Sequence, residues 1–280
     1  MTRPAFYRLM PELPEVETTR RGIAPLVQDK VVERVLVHNP ALRWPVPEDL
    51  ARVLPGQAIR AVDRRAKYLL FTCEEGTLIV HLGMTGHLRV TRVDVPKRKH
   101  DHVELVFTDG SALRFHDSRR FGALFWTPDD PLRHDRLAGL GPEPLGDAFN
   151  TEYLYRLSRQ RRVAIKPFLM DARVVVGVGN IYASEALFHA GIRPGRQAGR
   201  LGRASFARLV QAVREVLEAS IRAGGTTIRD FSDSNGKPGY FKQELKVYGR
   251  TGQGCYRCGA PIRCTRLGQR STYYCPGCQH

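Results

Sequence analysis

The sequence has no long hydrophobic run, and that absence sets the first boundary on what it can be. Its apolar stretches are brief, such as Tyr68-Leu69-Leu70-Phe71 and Leu78-Ile79-Val80, far short of the roughly 20 residues a helix needs to span a bilayer. The opening residues MTRPAFYRLM lack the apolar centre and small-residue cleavage site of a secretory signal, so an intracellular protein is expected. There is no internal repeat and no low-complexity tract, so a repeat array is not expected. Acidic residues are scarce beside basic ones: 28 Asp and Glu stand against 44 Lys and Arg, a formal charge of +16. An excess of that kind points to a polyanionic partner, because each neutralised phosphate releases counterions. Arg outnumbers Lys, as a GC-rich genome would impose, but codon bias exchanges one cation for another and leaves the net excess unexplained. Nucleic acid is the expected partner; charge alone does not distinguish DNA from RNA.

What is present fits a folded protein of ordinary composition. The 280 residues, 42% hydrophobic and 26% charged, suffice for about two domains with a core each. Of six cysteines, Cys73 and Cys264 stand apart and are read as bystanders. The other four form Cys255-x2-Cys258 and Cys275-x2-Cys278, sixteen residues apart, the spacing of a tetrahedral four-cysteine zinc site. Paired disulfides or a redox motif are the alternatives. Between the knuckles, 263–274 reads as a hairpin turning near Gly268, with Gln269 and Arg270 close to its tip. A site closed by four thiolates leaves no open position for a catalytic water.

Along the chain, the segment after Pro11 contains a short helix expected to stop around Gly22 and Pro25. From about 31 to 126 the pattern is strand-like. Asp109-Gly110 lies between two β-rich runs, 103–107 and 112–115, a strong hairpin signal, and Glu75-Gly76 does the same between 68–72 and 77–81. These strands read as an antiparallel sandwich with the first helix at one end. The Gly- and Pro-rich stretch 140–150 marks a boundary. Beyond it the period turns helical. Phe206, Leu209, Val210, Val213, Val216, Leu217 and Ile221 form one stripe, closed by Gly224-Gly225. Ala183, Ala186, Leu187 and Ala190 form another, preceded by Gly177-Val178-Gly179-Asn180, in which Asn180 is a natural helix N-cap or phosphate contact.

The motifs PELPEVETTRRG, RRAKYLL, HLGMTGHLR, KHDHVEL, RRFG, LGPEPL, LMDARVVVGVGNIYASEALF and GKPGYFKQELKVYGR, followed by the four-cysteine hairpin, resemble the formamidopyrimidine-DNA glycosylase family in that family's order, from Pro11 to the C-terminus. The resemblance implies an α+β multidomain fold with an N-terminal antiparallel β-sandwich, a helix–two-turn–helix domain and a zinc finger. The corresponding boundaries are 11–142, a linker at 143–150, 151–248 and 249–280. It implies excision of oxidised purines, 8-oxoguanine and formamidopyrimidines, from damaged double-stranded DNA, then cleavage at the abasic site. One structural Zn2+ is implied, with no nucleotide cofactor and no membrane partner, in a monomer of the bacterial cytoplasm held to the nucleoid through DNA.

By this resemblance Pro11 is the nucleophile. A free N-terminal proline is a secondary amine whose adduct at C1′ is an iminium ion, positively charged without a proton and able to acidify C2′ for elimination. Glu12 is the general acid and base, Lys67 the proton donor for β-elimination, and Arg270 the residue assigned to δ-elimination; Glu15 is expected to support the network. Met84, Arg119 and Phe121 match the trio that fills the helix when the damaged nucleotide is extruded. His81, His100, Arg161 and Asn180 match its other DNA contacts, together with Lys67 and Arg270. The stretch 224–248 matches the loop that closes over the purine.

Two alternatives stay open in the sequence. An endonuclease VIII-like enzyme for oxidised pyrimidines typically has glycine where this chain has Leu13. A non-catalytic DNA-binding protein would follow if Pro11 stayed blocked, since an amide nitrogen delocalised into its carbonyl cannot form an iminium. Residues 1–10 precede the proline here, and the expectation is that translation begins at Met10 or that this extension is removed.

Overall fold

The computed structural model describes residues 11–224 and 245–280, which divide into two compact units, 11–138 and 139–224 with 245–280. The N-terminal extension and most of the loop expected to cover a purine lie outside the described residues.

The first unit opens with α1 (Leu13–Val27), β1 (Val32–Val37) and the single turn α2 (Leu50–Val53). Seven strands follow: β2 (Ala61–Arg65), β3 (Tyr68–Thr72), β4 (Thr77–His81), β5 (His87–Arg92), β6 (Asp101–Phe107), β7 (Ser111–His116) and β8 (Ala123–Thr127). They form two antiparallel sheets of four, ordered β1-β6-β7-β5 and β2-β3-β4-β8. Both hairpins expected from the sequence are present: Leu105 pairs with Leu113 across the Asp109-Gly110 turn, and Leu70 pairs with Ile79 across Glu75-Gly76. Inward residues of both sheets, among them Phe71, Leu78, Phe107, Leu113 and Phe115, meet in one core with Val16, Ile23 and Val27 of α1. Full burial of each such side chain contributes about 1.5–3 kcal/mol. A sandwich with a flanking helix results.

The first helix is longer than the sequence implies. It passes through Gly22 and Pro25 and ends only at Val27, where the Gln28 amide donates to the Ala24 carbonyl. Pro25 forfeits one backbone hydrogen bond in the last turn, but Ile23 and Val27 are buried on either side of it. Packing outweighs the local breaker.

The second unit holds α3 (Thr151–Ser158), α4 (Ile165–Met170), α5 (Asn180–His189), α6 (Arg203–Arg222) and the hairpin β9 (Arg263–Leu267) and β10 (Arg270–Tyr274). Asn150 caps α3, accepting the Tyr153 amide at 2.9 Å. Turns at 171–179 join α4 to α5, stabilised where Val174 and Val175 donate to the Asp171 carbonyl. The α6 stripe is buried as its period predicts, from Phe206 to Leu217. Among the described residues no helix is long and apolar enough to cross a membrane.

Candidate active site and zinc centre

Pro11 precedes α1, and Glu12 is that helix's N-cap. The Glu12 amide donates to Glu15 Oε2 at 2.9 Å, and the Glu12 side chain accepts from the Glu15 amide in return. This reciprocal box satisfies two amides that a helix start leaves open. It also fixes the peptide that carries Pro11, with Glu12 and Glu15 both buried. Glu15 thus has a visible structural task beside the residue it was expected to support.

Lys67 sits directly after Ala66, a buried non-glycine residue with φ +56°. Arg64 donates to the Ala66 carbonyl at 2.8 Å and to Glu17 of α1 at 3.1 Å. Burial works against charge on Glu17. Hydrogen bonds from Arg20 and Arg21, with the charges of Arg20 and Arg64, nevertheless bring its pKa down to about 2. One ion-paired carboxylate therefore links the helix that follows Pro11 to the turn that presents Lys67.

His81 ends β4, its ring tilted against that of Tyr68 with centroids 4.8 Å apart. Its pKa falls to about 4 through burial, then through the nearby charges of Lys67 and Arg43. At neutral pH the ring is uncharged, and its Nδ1 accepts the Gly83 amide at 3.1 Å. The proton is left on Nε2, a donor suited to a phosphate oxygen.

The expected intercalating residues come from two loops in direct contact. Gly83 has φ +65°, and a Cβ there would overlap the Phe121 backbone, so the loops approach as only glycine allows. Asp117, wholly buried, binds them together: it accepts from the Thr85 hydroxyl, from the Arg119 amide at 3.2 Å and from the Gly122 amide at 2.7 Å. Phe121 is 40% exposed, Met84 half-buried and Arg119 exposed, with the Arg119 guanidinium 4.6 Å from the Phe121 ring centre. An open cleft of about 650 Å³ lies beside them, lined by Ala41, Leu42, Arg43, Arg119, Arg120 and Phe121. An apolar wedge and a cationic cleft side by side suit unstacked bases and their phosphates. His100 stands on the same unit, beyond β5, with its pKa lowered by burial and by the neighbouring His116 and Lys99.

In the second unit Asn180 is the first residue inside α5; Gly179, not Asn180, is the N-cap, and no side-chain cap bond forms. The Asn180 side chain is engaged elsewhere. Its Oδ1 accepts from Lys166 Nζ at 2.7 Å, and its Nδ2 donates to the Tyr248 hydroxyl at 3.3 Å. Lys166 is buried, and its ammonium also donates to the Ser271 carbonyl and the Thr272 hydroxyl, each at 2.9 Å. One ammonium joins Asn180 to the strand that begins with Arg270. Glu185, likewise buried in α5, accepts the amides of Lys246, Val247 and Tyr248. Arg161 is exposed, following Gln160 at φ +61°.

Sequence reasoning does not find Lys166, Asp117, Glu17 or Glu185. A signal exists for two of them: Lys166 and Glu185 are ionisable residues inside otherwise apolar runs, IKPFLM and NIYASEALF.

The sulfur atoms of Cys255, Cys258, Cys275 and Cys278 all lie within 4.8 Å of one another. The Cys258–Cys275 and Cys255–Cys278 separations are 3.4 and 3.9 Å. A zinc–sulfur bond of 2.3 Å in a tetrahedron requires about 3.8 Å, so the donor set fits one structural zinc. Between the knuckles β9 and β10 pair from Leu267–Arg270 to Arg263–Tyr274. Gly268 and Gln269 form the turn at φ +53° and +61°, the backbone of a type I′ hairpin, and Arg270 follows at once. The base of the finger packs Ile262 and Tyr273 against Phe188 of α5.

A β-sandwich with a capped N-terminal helix, a helix–two-turn–helix unit and a four-cysteine finger together define a multidomain zinc protein. Comparison with known proteins narrows that class. Residues 10–124 match the formamidopyrimidine-DNA glycosylase N-terminal domain, 140–232 the H2TH domain of the same proteins, and 252–280 the zinc finger found in FPG and IleRS. A formamidopyrimidine-DNA glycosylase of Methylococcus capsulatus is 58% identical over 270 residues, 96% of this chain and 100% of the relative; one from Alkalilimnicola ehrlichii is 59% identical over 276. Among solved structures, Lactococcus lactis FPG in complex with Fapy-dG-containing DNA aligns with TM-score 0.88 at 35% identity, covering 96% of this chain and all of that one. MutM of Thermus thermophilus aligns with TM-score 0.84 at 40% identity, covering 96% and 98%. The chain belongs to the formamidopyrimidine-DNA glycosylase family.

Proposed function

We propose that the chain excises oxidised purines, formamidopyrimidines and 8-oxoguanine, from duplex DNA and then cuts the strand at the abasic site. The observation that carries this reading is the Pro11–Glu12 pair at the head of α1, held by Glu15, in a chain alike over its whole fold to a protein in complex with Fapy-dG-containing DNA.

The Pro11 nitrogen attacks C1′, the glycosidic bond breaks, and the purine leaves with its electron pair. Glu12 shuttles protons as the sugar ring opens and the iminium forms. Glu12, now acting as base, takes the C2′ proton. The electrons of that C–H bond pass to the iminium to give an enamine, which expels the 3′-phosphate as Lys67 donates a proton to it. Arg270 assists the second elimination. Met84, Arg119 and Phe121 fill the space left by the extruded nucleotide, and His81, His100, Arg161 and Asn180 hold the backbone. The reading carries a location with it: the bacterial cytoplasm, on the nucleoid.

All of this requires Pro11 to be the first residue of the mature protein. Translation from Met10 provides that, since an initiator Met before Pro is readily trimmed. Borohydride trapping on abasic-site duplex, with intact-mass analysis of the protein, tests it. Protein beginning at Pro11 is expected to form a covalent adduct, and protein retaining residues 1–10 none. No adduct from the Pro11 form would leave only a DNA-binding role; equal adducts from both would move the nucleophile elsewhere.

A further inference from the structure

Three imidazoles stand together on the first unit, and only one of them, His100, is among the DNA contacts expected from the sequence. His87 of β5 and His116 of β7 are cross-strand partners with ring centroids 4.6 Å apart, and His100 meets His116 edge-on at 5.6 Å. His116 Nδ1 donates to Asp101 at 2.9 Å. Burial opposes charge on Asp101, yet the bonds from His116 and the Arg98 amide, with the charge of Arg89, bring it down to about 2.

Beside these rings runs loop 93–100. Its beginning is pinned by the buried Arg114, whose guanidinium donates to the carbonyls of Val93 and Pro96 and is balanced by Glu104 at 3.0 Å. Its end is pinned where the Arg98 amide donates to Asp101 at 2.8 Å. The loop's one acid, Asp94, faces Arg92 at 3.6 Å. Lys97, Arg98 and Lys99 are all exposed. Three consecutive cations on a loop anchored at both ends are not a loosely solvated run.

We propose that loop 93–100, with His87, His100 and His116, is a proton-linked binding surface for the phosphates of duplex DNA flanking the lesion. The proposal rests on the DNA-repair reading, in which His100 already touches the backbone, and extends the contact to residues not among the expected DNA contacts. Complementarity of charge selects the partner. Positive charge arrives from Lys97, Arg98 and Lys99. Asp101 is engaged by His116 and Arg89, and Asp117 is committed to the two wedge loops. His102 is committed to the Asp117 carbonyl at 2.7 Å. Burial, then the neighbouring His116 and Lys99, hold protonation of His100 back while the surface is free. A phosphate reverses that balance, so binding takes up protons and tightens as pH falls through the histidine range.

The test is equilibrium binding of a short undamaged duplex followed by fluorescence anisotropy. Against increasing salt, Lys97→Ser/Arg98→Ser/Lys99→Ser should reduce the slope of log affinity by about 0.9 for each phosphate that is no longer neutralised; coincident lines would overturn the proposal. Between about pH 8 and pH 6 at fixed salt, the wild-type affinity should rise more steeply than that of His87→Gln/His116→Gln. Parallel profiles from variants with wild-type unfolding midpoints would also overturn it. Borohydride trapping reports separately on the chemistry: its loss with an intact salt effect would count against the enzyme reading alone, and the converse against this surface alone.

Discussion

Glu17 and Arg64 are joined at 3.1 Å, α1 to β2, and the same guanidinium reaches the carbonyl of Ala66. Both side chains are nearly buried, and removing one partner of such a pair is costly because the other charge is left desolvated.

Glu17→Gln is therefore expected to lower stability at neutral pH by about 3 kcal/mol, the size implied by a carboxylate brought to about 2 from its ordinary value. The native form holds the proton less tightly than the unfolded chain does. The contribution is full above about pH 4.5 and fades as pH falls toward 2. Unfolding curves of wild type and variant should differ at neutral pH and converge in acid. A constant gap would show that packing, not charge, is what the substitution removes.

Asp117→Asn tests the joint between the two wedge loops. A carboxylate accepts on both oxygens, whereas an amide must turn its NH2 group toward one of the donors, Gly122 N or the Thr85 and Arg119 side. A cost of about 1–3 kcal/mol is expected. Single-turnover excision of 8-oxoguanine should fall by more than the stability loss explains, since Met84, Arg119 and Phe121 lose their mutual placement. Unchanged excision would separate the joint from the wedge.

Much of this is legible in the sequence because it is local. Hairpins follow from Asp-Gly and Glu-Gly between apolar runs, α6 from its stripe, and the metal site from two cysteine knuckles. The tertiary devices are not. Lys166 touches residues more than a hundred positions away, and Asp117 gathers a hydroxyl from one loop and amides from another. No period or spacing encodes such meetings. The full length of α1 escapes the sequence for the same reason: Pro25 is a local stop signal, and burial of Val27 is a tertiary fact.

Lys166→Met keeps the length of the side chain but strips three acceptors of their shared donor. Each buried acceptor left unsatisfied costs about 1–3 kcal/mol, so a lower unfolding midpoint is expected, along with weaker binding of abasic-site duplex through Asn180. If the midpoint drops while binding of the folded protein is unaffected, Asn180 does not depend on this bond.

Zinc content should be one ion per chain by atomic absorption. Chelation or Cys258→Ser should release it, expose the finger to protease and weaken DNA binding, because zinc binding and finger folding are one equilibrium. A metal-free finger that resists protease would assign its stability to the Ile262–Tyr273–Phe188 contact instead.

The turn at Gly268 and Gln269 makes the finger a part of fixed length. Two residues at positive φ close the hairpin with no slack, and side chains alternate faces along a strand. One inserted residue would therefore either open a bulge or swing Arg270 to the opposite side of the finger. Length variation should be rare at this tip, a surface loop where insertions would otherwise be tolerated most easily, and an engineered insertion there should spare the zinc while abolishing whatever Arg270 does.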